Sequence, residues 1–484
     1  MSSLSKIKTN TSSIWLSWLA IFVILETLSW FSFHWPILNL AVLILVALLT
    51  LIFIWREPIF AIYIPIAELF WGSLGHSFDY DFVSIRFAIF AVIILFFGLK
   101  YITRLKHLRL LKDRGMYFIW LLIILLVLLS SIWPYFKGVE IYKIFYDANA
   151  YLYIFYLPVW YQVFERNHLK NILIILQSAA LVVAVKTLLV FNIFVQGYGL
   201  LDIDSIYKWI RDSRTGEITP FVDNFYRVFM QSQFYLLIAW FISFIKQLKE
   251  YKNKLNFFYI VTLSAALLIS LSRSIWLGGV IGLVFLIFNI FAYQRRGFHI
   301  FVYISILGMV LGGFILVEAL YNLPRYNQID VWNQRGISTS EAAISSRQQL
   351  LKPMWDNIKE SPVVGQGFGK EITYQSADPR IKNESNPEGW YTTYAFEWGW
   401  LDIWLKAGIG MILLFIAWIL IIFSRGYKIL GSDPALSFAL LASVVSLIII
   451  HVFTPYINHP LGLGLLMLIT VIFSNYEKRT FSHY

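Results

Sequence analysis

FFYIVTLSAALLISLSRSIWLGGVIGLVFLIFNIFAY, residues 257–293, decides the fold. These 37 residues carry one charge, Arg273, at their middle. A single helix of that length would measure about 55 Å at 1.5 Å per residue. A bilayer's hydrocarbon core is about 30 Å thick. The run therefore reads as two membrane spans that meet at Arg273. Ser270, Ser272, Ser274, Gly278 and Gly279 suit a tight corner there, because small residues let helices approach closely.

Similar apolar runs recur along the chain. Of its 484 residues 59% are hydrophobic and 14% charged, against about 25% charged in a soluble domain. The runs are continuous rather than alternating, which argues against an outer-membrane barrel. The expected class is an all-α polytopic membrane protein. Fourteen spans are predicted, near 14–33, 36–55, 58–74, 82–102, 116–134, 148–164, 171–195, 225–246, 256–271, 275–293, 299–319, 398–423, 435–455 and 460–475. The organisation is eleven spans in 1–320, a long loop at 321–397, and three spans in 398–484.

The chain has no cysteine, so disulfides, thiolate zinc sites and iron–sulfur clusters are excluded. The net charge of +11 does not form a basic domain and gives no reason to expect nucleic acid. The basic residues lie between spans, six of them in KYITRLKHLRLLKDR, residues 100–114. By the positive-inside rule that segment is cytoplasmic. Both termini then lie inside, and the Arg273 corner and the loop 321–397 lie outside. The lysines before the first apolar run introduce a retained span rather than a cleaved signal.

Ionisable residues within spans are costly and usually mark a pathway or a site. Arg86 lies five residues inside the outer end of its predicted span. Lys186 sits in LVVAVKTLLVFNIF (181–194), Arg227 opens FYRVFMQSQFYLLIAWF (225–241), and Lys406 lies in EWGWLDIWLKAGIGM (397–411). With Arg273 these are five cations toward one face, and few acids are expected at their depth. An anion such as a diphosphate would neutralise them, since guanidinium groups present paired donors to phosphate oxygens. Each also has a plainer reading as a helix-end anchor or an internal ion pair.

Within the loop, STSEAAISSRQQLLKPMWDNIKES (338–361) reads as a helix, with Ser338 or Ser340 as cap, Glu341 in its first turn and a kink at Pro353. Trp332, Trp355, Trp390, Tyr391, Tyr394 and Trp398 favour a folded cap able to stack on sugars. GQGFG (365–369) opens no strand–turn–helix unit and is not a dinucleotide fingerprint.

Three stretches together resemble the O-antigen ligase and polysaccharide polymerase superfamily of bacterial membrane glycosyltransferases. SLSRSIWLGG (270–279) looks like its Ser-Arg corner. SSRQQLLKPMWDNIKESPVVGQGFGKE (345–371) is similar to its arginine-led loop helix ending in a proline and a glycine-rich turn. EWGWLDIWLKAGIGMILLF (397–415) is similar to its helix entering the membrane after the loop. The resemblance implies a GT-C-like fold in the bacterial cytoplasmic membrane with an outward-facing site. It implies transfer of a glycan en bloc from undecaprenyl diphosphate to an acceptor hydroxyl on a glycan, lipid or protein. No cofactor, metal or nucleotide sugar is implied, and inversion is expected for direct transfer. Arg273 and Arg227 fall at the family's diphosphate-binding arginines, and Arg347 at the arginine heading its loop helix. Arg86, Lys186, Lys406, Trp390 and Tyr391 are further candidates for diphosphate or glycan contact. The ligases carry His-Asn where this chain has Glu397-Trp398, so a catalytic base there is a carboxylate, or else Glu397 is a simple helix-start acid. Glu384 and Glu388 stand in reserve. A flippase for the same lipid is the competing reading.

Overall fold

The computed structural model describes residues 11–81, 83–101, 108–197, 202–222, 225–293, 299–321, 342–378, 381–431 and 433–480. Ser338, Ser340, Glu341 and Trp332 lie outside them, so the expected cap of the loop helix is not among the described features. The described residues are mostly helical, and the short strands among them form three two-stranded antiparallel sheets. Eight helices among the described residues are long and apolar enough to cross a membrane. Phe60–Trp71, Lys254–Ile269 and Pro460–Tyr476 are shorter apolar helices that overlap three more of the expected spans.

Two expected spans take a different form. Residues 148–164 are a 3-10 stretch, Asn149–Phe155, followed by the eight-residue helix Tyr156–Val163. Tyr151, Tyr153, Tyr156, Trp160 and Tyr161 are buried there. Much of the run's apolar surface is therefore packed inside the protein. The stretch expected to begin a span at 225 opens instead with the strand Phe225–Met230, paired with Gly216–Val222, and its helix starts at Gln233. A short apolar run does not by itself distinguish a strand from a helix. Arg227 therefore sits opposite Thr219 in a hairpin rather than at the head of a membrane helix.

The chain divides into two compact units. The first comprises Met1–Thr103, Val163–Ser272 and Ile290–Pro324. Its hub is the helix Leu169–Gln196, whose apolar window is 67% buried. The helices Thr11–His34, Phe60–Trp71, Gln233–Lys249 and Lys254–Ile269 pack around it. Small residues along its length, Ser178, Ala179, Ala180 and Ala184, are fully buried and allow that close packing.

The second unit comprises Arg104–Gln162, Arg273–Asn289 and Arg325–Tyr484. Its long helix Gly399–Lys428 packs against Arg114–Phe136, Pro434–Phe453 and Pro460–Thr480. Helix Arg273–Tyr293 meets Pro434–Phe453 at Gly278. The Ser446 hydroxyl donates to the Gly278 carbonyl at 2.8 Å, and a Cβ at Gly278 would lie 2.9 Å from the Ser446 carbonyl oxygen. Near the start of Arg114–Phe136, Asp113 caps the helix by accepting from the Met116 amide. The same carboxylate accepts from Arg425 (2.7 Å) and from the Tyr161 hydroxyl (2.7 Å), while Arg425 also donates to Ser474.

Burial alone would raise the Asp113 pKa, but the Arg425 guanidinium and the Tyr161 hydroxyl outweigh it and hold the carboxyl below its usual value. Its stabilisation is complete above the unfolded-state value near 3.9 and is lost as pH falls through the lower folded value. Asp113→Asn is expected to cost about 1.5–3 kcal/mol at pH 7, the range for hydrogen bonds to a charged group. The gap should narrow on acidification below pH ~4, as thermal unfolding of both forms in detergent would show.

Candidate functional site

The corner at the middle of 257–293 is present. Helix Lys254–Ile269 ends, Leu271 takes a left-handed backbone (φ 45°), and helix Arg273–Tyr293 begins on the arginine itself. Ser270 holds the turn: its hydroxyl donates to the Leu267 carbonyl and accepts from the Ser272 amide. Arg273 is half-buried. A cation in the first turn of a helix works against the macrodipole, so this placement concentrates positive potential rather than balancing it. Arg227 donates from Nε to the Ser270 carbonyl at 3.0 Å, three residues before Arg273 in the chain. It also lies 3.4 Å from Glu217 and over the Phe229 ring.

The other cations are answered from within the protein. Arg86 grips Glu68 with Nε and a terminal amino group (2.8 and 2.9 Å) and donates to the carbonyls of Ser73 and Leu74. Lys186 pairs with Glu26 at 2.8 Å and lies 4.2 Å from the Trp209 ring centre. Lys406 is held by Asp147 and Asp402, both at 2.5 Å. The expectation that few acids share their depth is therefore corrected. Glu26 meets Lys186, Glu68 meets Arg86, Glu217 meets Arg227, and Asp147 and Asp402 meet Lys406.

The described part of the loop folds. Helix Ala342–Glu360 continues through Pro353, and Ile372–Gln375 pairs with Trp390–Thr393. Leu350, Met354 and Ile358, spaced four apart on one helical face, pack with Ile372, Tyr374, Phe396 and Leu405. On this small core stand two residues singled out for different reasons: Arg347 and Glu397, fifty positions apart, form an ion pair through Nε and Oε2. The Trp398 indole fixes the approach by donating to the Arg347 carbonyl at 3.0 Å. Both charged groups are about half exposed. Among the described residues, Glu397 Oε1 and the terminal amino groups of Arg347 take no protein hydrogen bond. Trp390 and Tyr391 are exposed on the neighbouring strand, Trp390 donating to Glu388.

Below this pair the glycine-rich turn closes against a broken helix. Within Gly399–Lys428, Gly408 has φ 74° and ψ 177°, a region essentially reserved for glycine. The break frees the carbonyls of Leu405 and Lys406, which accept from the amides of Gln366 and Gly367, while the Ile409 amide donates to Pro362. Gly365, Gly367 and Gly369 all have φ between 78° and 92°. Each lies against a different neighbour: the Lys406 carbonyl, Pro134, and the backbone at Lys143–Ile144. Asp147 accepts from the Gly369 amide at 2.7 Å and from Lys406, and Asn458 donates to Asp402 at 2.5 Å.

Residues 258–416 match the family model described as O-antigen ligase. That stretch is about a third of the chain, and it is similar to the O-antigen ligase family. The matched segment runs from the corner helices through Arg273, Arg347 and Glu397 to the broken helix, so the three stretches that carried the resemblance fall inside it. No curated protein and no solved structure matches the chain. With eight helices among the described residues long and apolar enough to cross a membrane, the chain is a multi-pass membrane protein.

Sequence reading missed Asp147, Asp402 and Asn458. Asp402 had a signal, lying four residues before Lys406 on one helix face; Asp147 is 259 residues away and had none. Lys406→Met would leave two buried carboxylates without their cation, and removing one partner of a buried pair typically costs 3–5 kcal/mol. A large drop in detergent melting temperature is expected, and a smaller one for Asp402→Asn, which leaves Lys406 paired with Asp147. Gly408→Ala should cost about 1–3 kcal/mol in backbone strain, plus the clash of its Cβ with the Val363 carbonyl, read in the same melt.

Proposed function

We propose that the chain transfers a glycan from undecaprenyl diphosphate to an acceptor hydroxyl at the outer face of the bacterial cytoplasmic membrane, as a polymerase or ligase. The reading includes fourteen passes, both termini inside and the loop outside. The observation that carries it is the Arg347–Glu397 pair, an exposed acid and guanidinium held together on a folded loop inside the O-antigen ligase match.

In this reading the acceptor hydroxyl attacks the anomeric carbon, its proton passes to Glu397 Oε1, and the C–O bond to the diphosphate breaks with its electron pair leaving on the phosphate oxygen. Arg347 orients the carboxylate through Nε. Arg273, at the head of its helix, stabilises charge as it develops on the departing diphosphate, and Arg227 supplies a second guanidinium in that role. Preorganised donors of this kind typically contribute 10²–10³ in rate. Direct displacement inverts the anomeric configuration. Trp390 and Tyr391 offer exposed ring faces for sugars. Arg86, Lys186 and Lys406 act by holding carboxylates inside the protein rather than by binding the headgroup.

The test uses the purified chain in lipid nanodiscs with a lipid-diphosphate glycan and acceptor, without nucleotide sugar. Elongated or transferred glycan is the expected product. Glu397→Gln should lower turnover by roughly 10²-fold or more, the range for a general base, and Arg273→Ala and Arg227→Ala comparably, with melting temperatures kept. Near-normal turnover in Glu397→Gln would remove the base. Movement of unmodified lipid across a bilayer, with no product, would replace the transferase by a flippase.

A further inference from the structure

IYKIFYDA, the helix Ile141–Ala148, has two unlike sides. At 100° per residue, Ile141, Tyr142, Phe145 and Tyr146 occupy an arc of about 140°. All four are exposed, Ile141 at 69%. The opposite side faces protein. Ile144 is buried, Lys143 bridges Glu140 and Glu371 at 3.2 and 3.0 Å, and Asp147 is the carboxylate shared by Lys406 and the Gly369 amide. The helix is thus fastened on one side and presents four large apolar or aromatic residues on the other.

That face continues a surface that already meets lipid. The span Arg114–Phe136 exposes Phe118, Leu121, Leu125, Leu128, Leu129 and Ile132 along its length, and ends on exposed Trp133, Tyr135 and Phe136. Lys137 follows as the terminal residue, its ammonium 4.9 Å from the Trp133 ring centre. Tryptophan and tyrosine concentrate where hydrocarbon gives way to headgroups, and lysine reaches from there to water. Only Gly138, Val139 and Glu140 separate this end from the helix, so its apolar face begins at the depth where the span stops. A short amphipathic helix at that depth buries its apolar face at the headgroup–acyl boundary. Tyrosine hydroxyls suit the boundary, where one end of the side chain is dry and the other wet.

We infer that Ile141–Ala148 is a membrane-surface helix whose partner is the lipid interface of the leaflet in which the span Arg114–Phe136 ends, with Ile141, Tyr142, Phe145 and Tyr146 turned into the headgroup–acyl boundary. The inference rests on the membrane span and not on the glycan chemistry. It also assigns the helix a second duty, because its protein side carries Asp147. The Lys406 ion pair and the Gly369 contact tie the broken helix and the glycine turn to an element seated in the interface.

The absence of native cysteine makes the test direct. Tyr142→Cys, Phe145→Cys and Tyr146→Cys are each labelled with a small fluorophore and reconstituted in bilayers holding lipids brominated at shallow or deep acyl positions. Leu125→Cys, within the span, and Lys359→Cys, 61% exposed on the loop helix, serve as deep and aqueous references. Quenching at 142, 145 and 146 that is strongest with shallow bromines, and weak with aqueous iodide, is the expected result. Iodide quenching equal to that at 359, or quenching strongest with deep bromines as at 125, would overturn it. Copper-driven dimer formation through Tyr142→Cys, with labels protected from both quenchers, would assign the face to a second copy of the chain and overturn it equally.

Discussion

A membrane helix that breaks must find partners for the backbone groups it releases, because hydrocarbon offers none. Gly408 breaks Gly399–Lys428, and the consequence runs through the second unit. The released carbonyls of Leu405 and Lys406 take the amides of Gln366 and Gly367, so the glycine turn completes the helix. Three glycines are needed there because three neighbours press on the turn at positive φ, and a Cβ at Gly365 would lie 2.6 Å from the Lys406 carbonyl oxygen. The loop bearing Arg347 and Glu397 is thereby joined to the membrane helix by main-chain bonds on one side and by its own small apolar core on the other.

The charges around this joint follow the same constraint. Lys406, side chain 4% exposed, is tolerable inside because two carboxylates meet it, and those carboxylates are tolerable because the Gly369 amide and Asn458 serve their other oxygens. Two acids and one ammonium leave an excess negative charge, which the amide donors spread over several elements. Such a cluster adds less stability than well-packed apolar residues would, yet strongly penalises any arrangement that separates its members. It specifies one conformation of the turn rather than deepening the fold. In the first unit, Arg86 with Glu68 and Lys186 with Glu26 act in the same way on helix packing.

Much of the architecture was legible because length and apolar continuity are strong signals. The two-helix corner at Arg273 followed from 37 residues that no single crossing could use. Apolar composition did not give local form where core and lipid look alike: residues 148–164 are a 3-10 stretch and a short helix, and FYRVFM pairs as a strand. Among the candidate residues, the sequence located cations but not their partners. Glu26 in IFVILETLS and Glu68 in FAIYIPIAELF are lone acids in apolar runs, and the reasoning that singled out Lys186 and Arg86 applied equally to them. Asp147 carried no such mark, since its surroundings read as an ordinary loop between spans. Pairing of Arg347 with Glu397, fifty residues apart, is a product of the loop's tertiary fold.

The contrast between these two kinds of ion pair separates support from chemistry. Arg86–Glu68, Lys186–Glu26 and the Lys406 cluster are largely enclosed and engage both partners on several sides. Arg347–Glu397 is half exposed, bonded through one nitrogen and one oxygen, and leaves the remaining donors and the second carboxylate oxygen facing outward. An exposed pair contributes little stability of its own; the apolar core beneath it and the Trp398 indole beside it are what hold it in place. Under the proposed function, such a pair would present an acid and a guanidinium where the acceptor's proton is taken up. The protein thus neutralises charge where charge would only be a burden, and leaves it exposed on the loop that the O-antigen ligase match encloses.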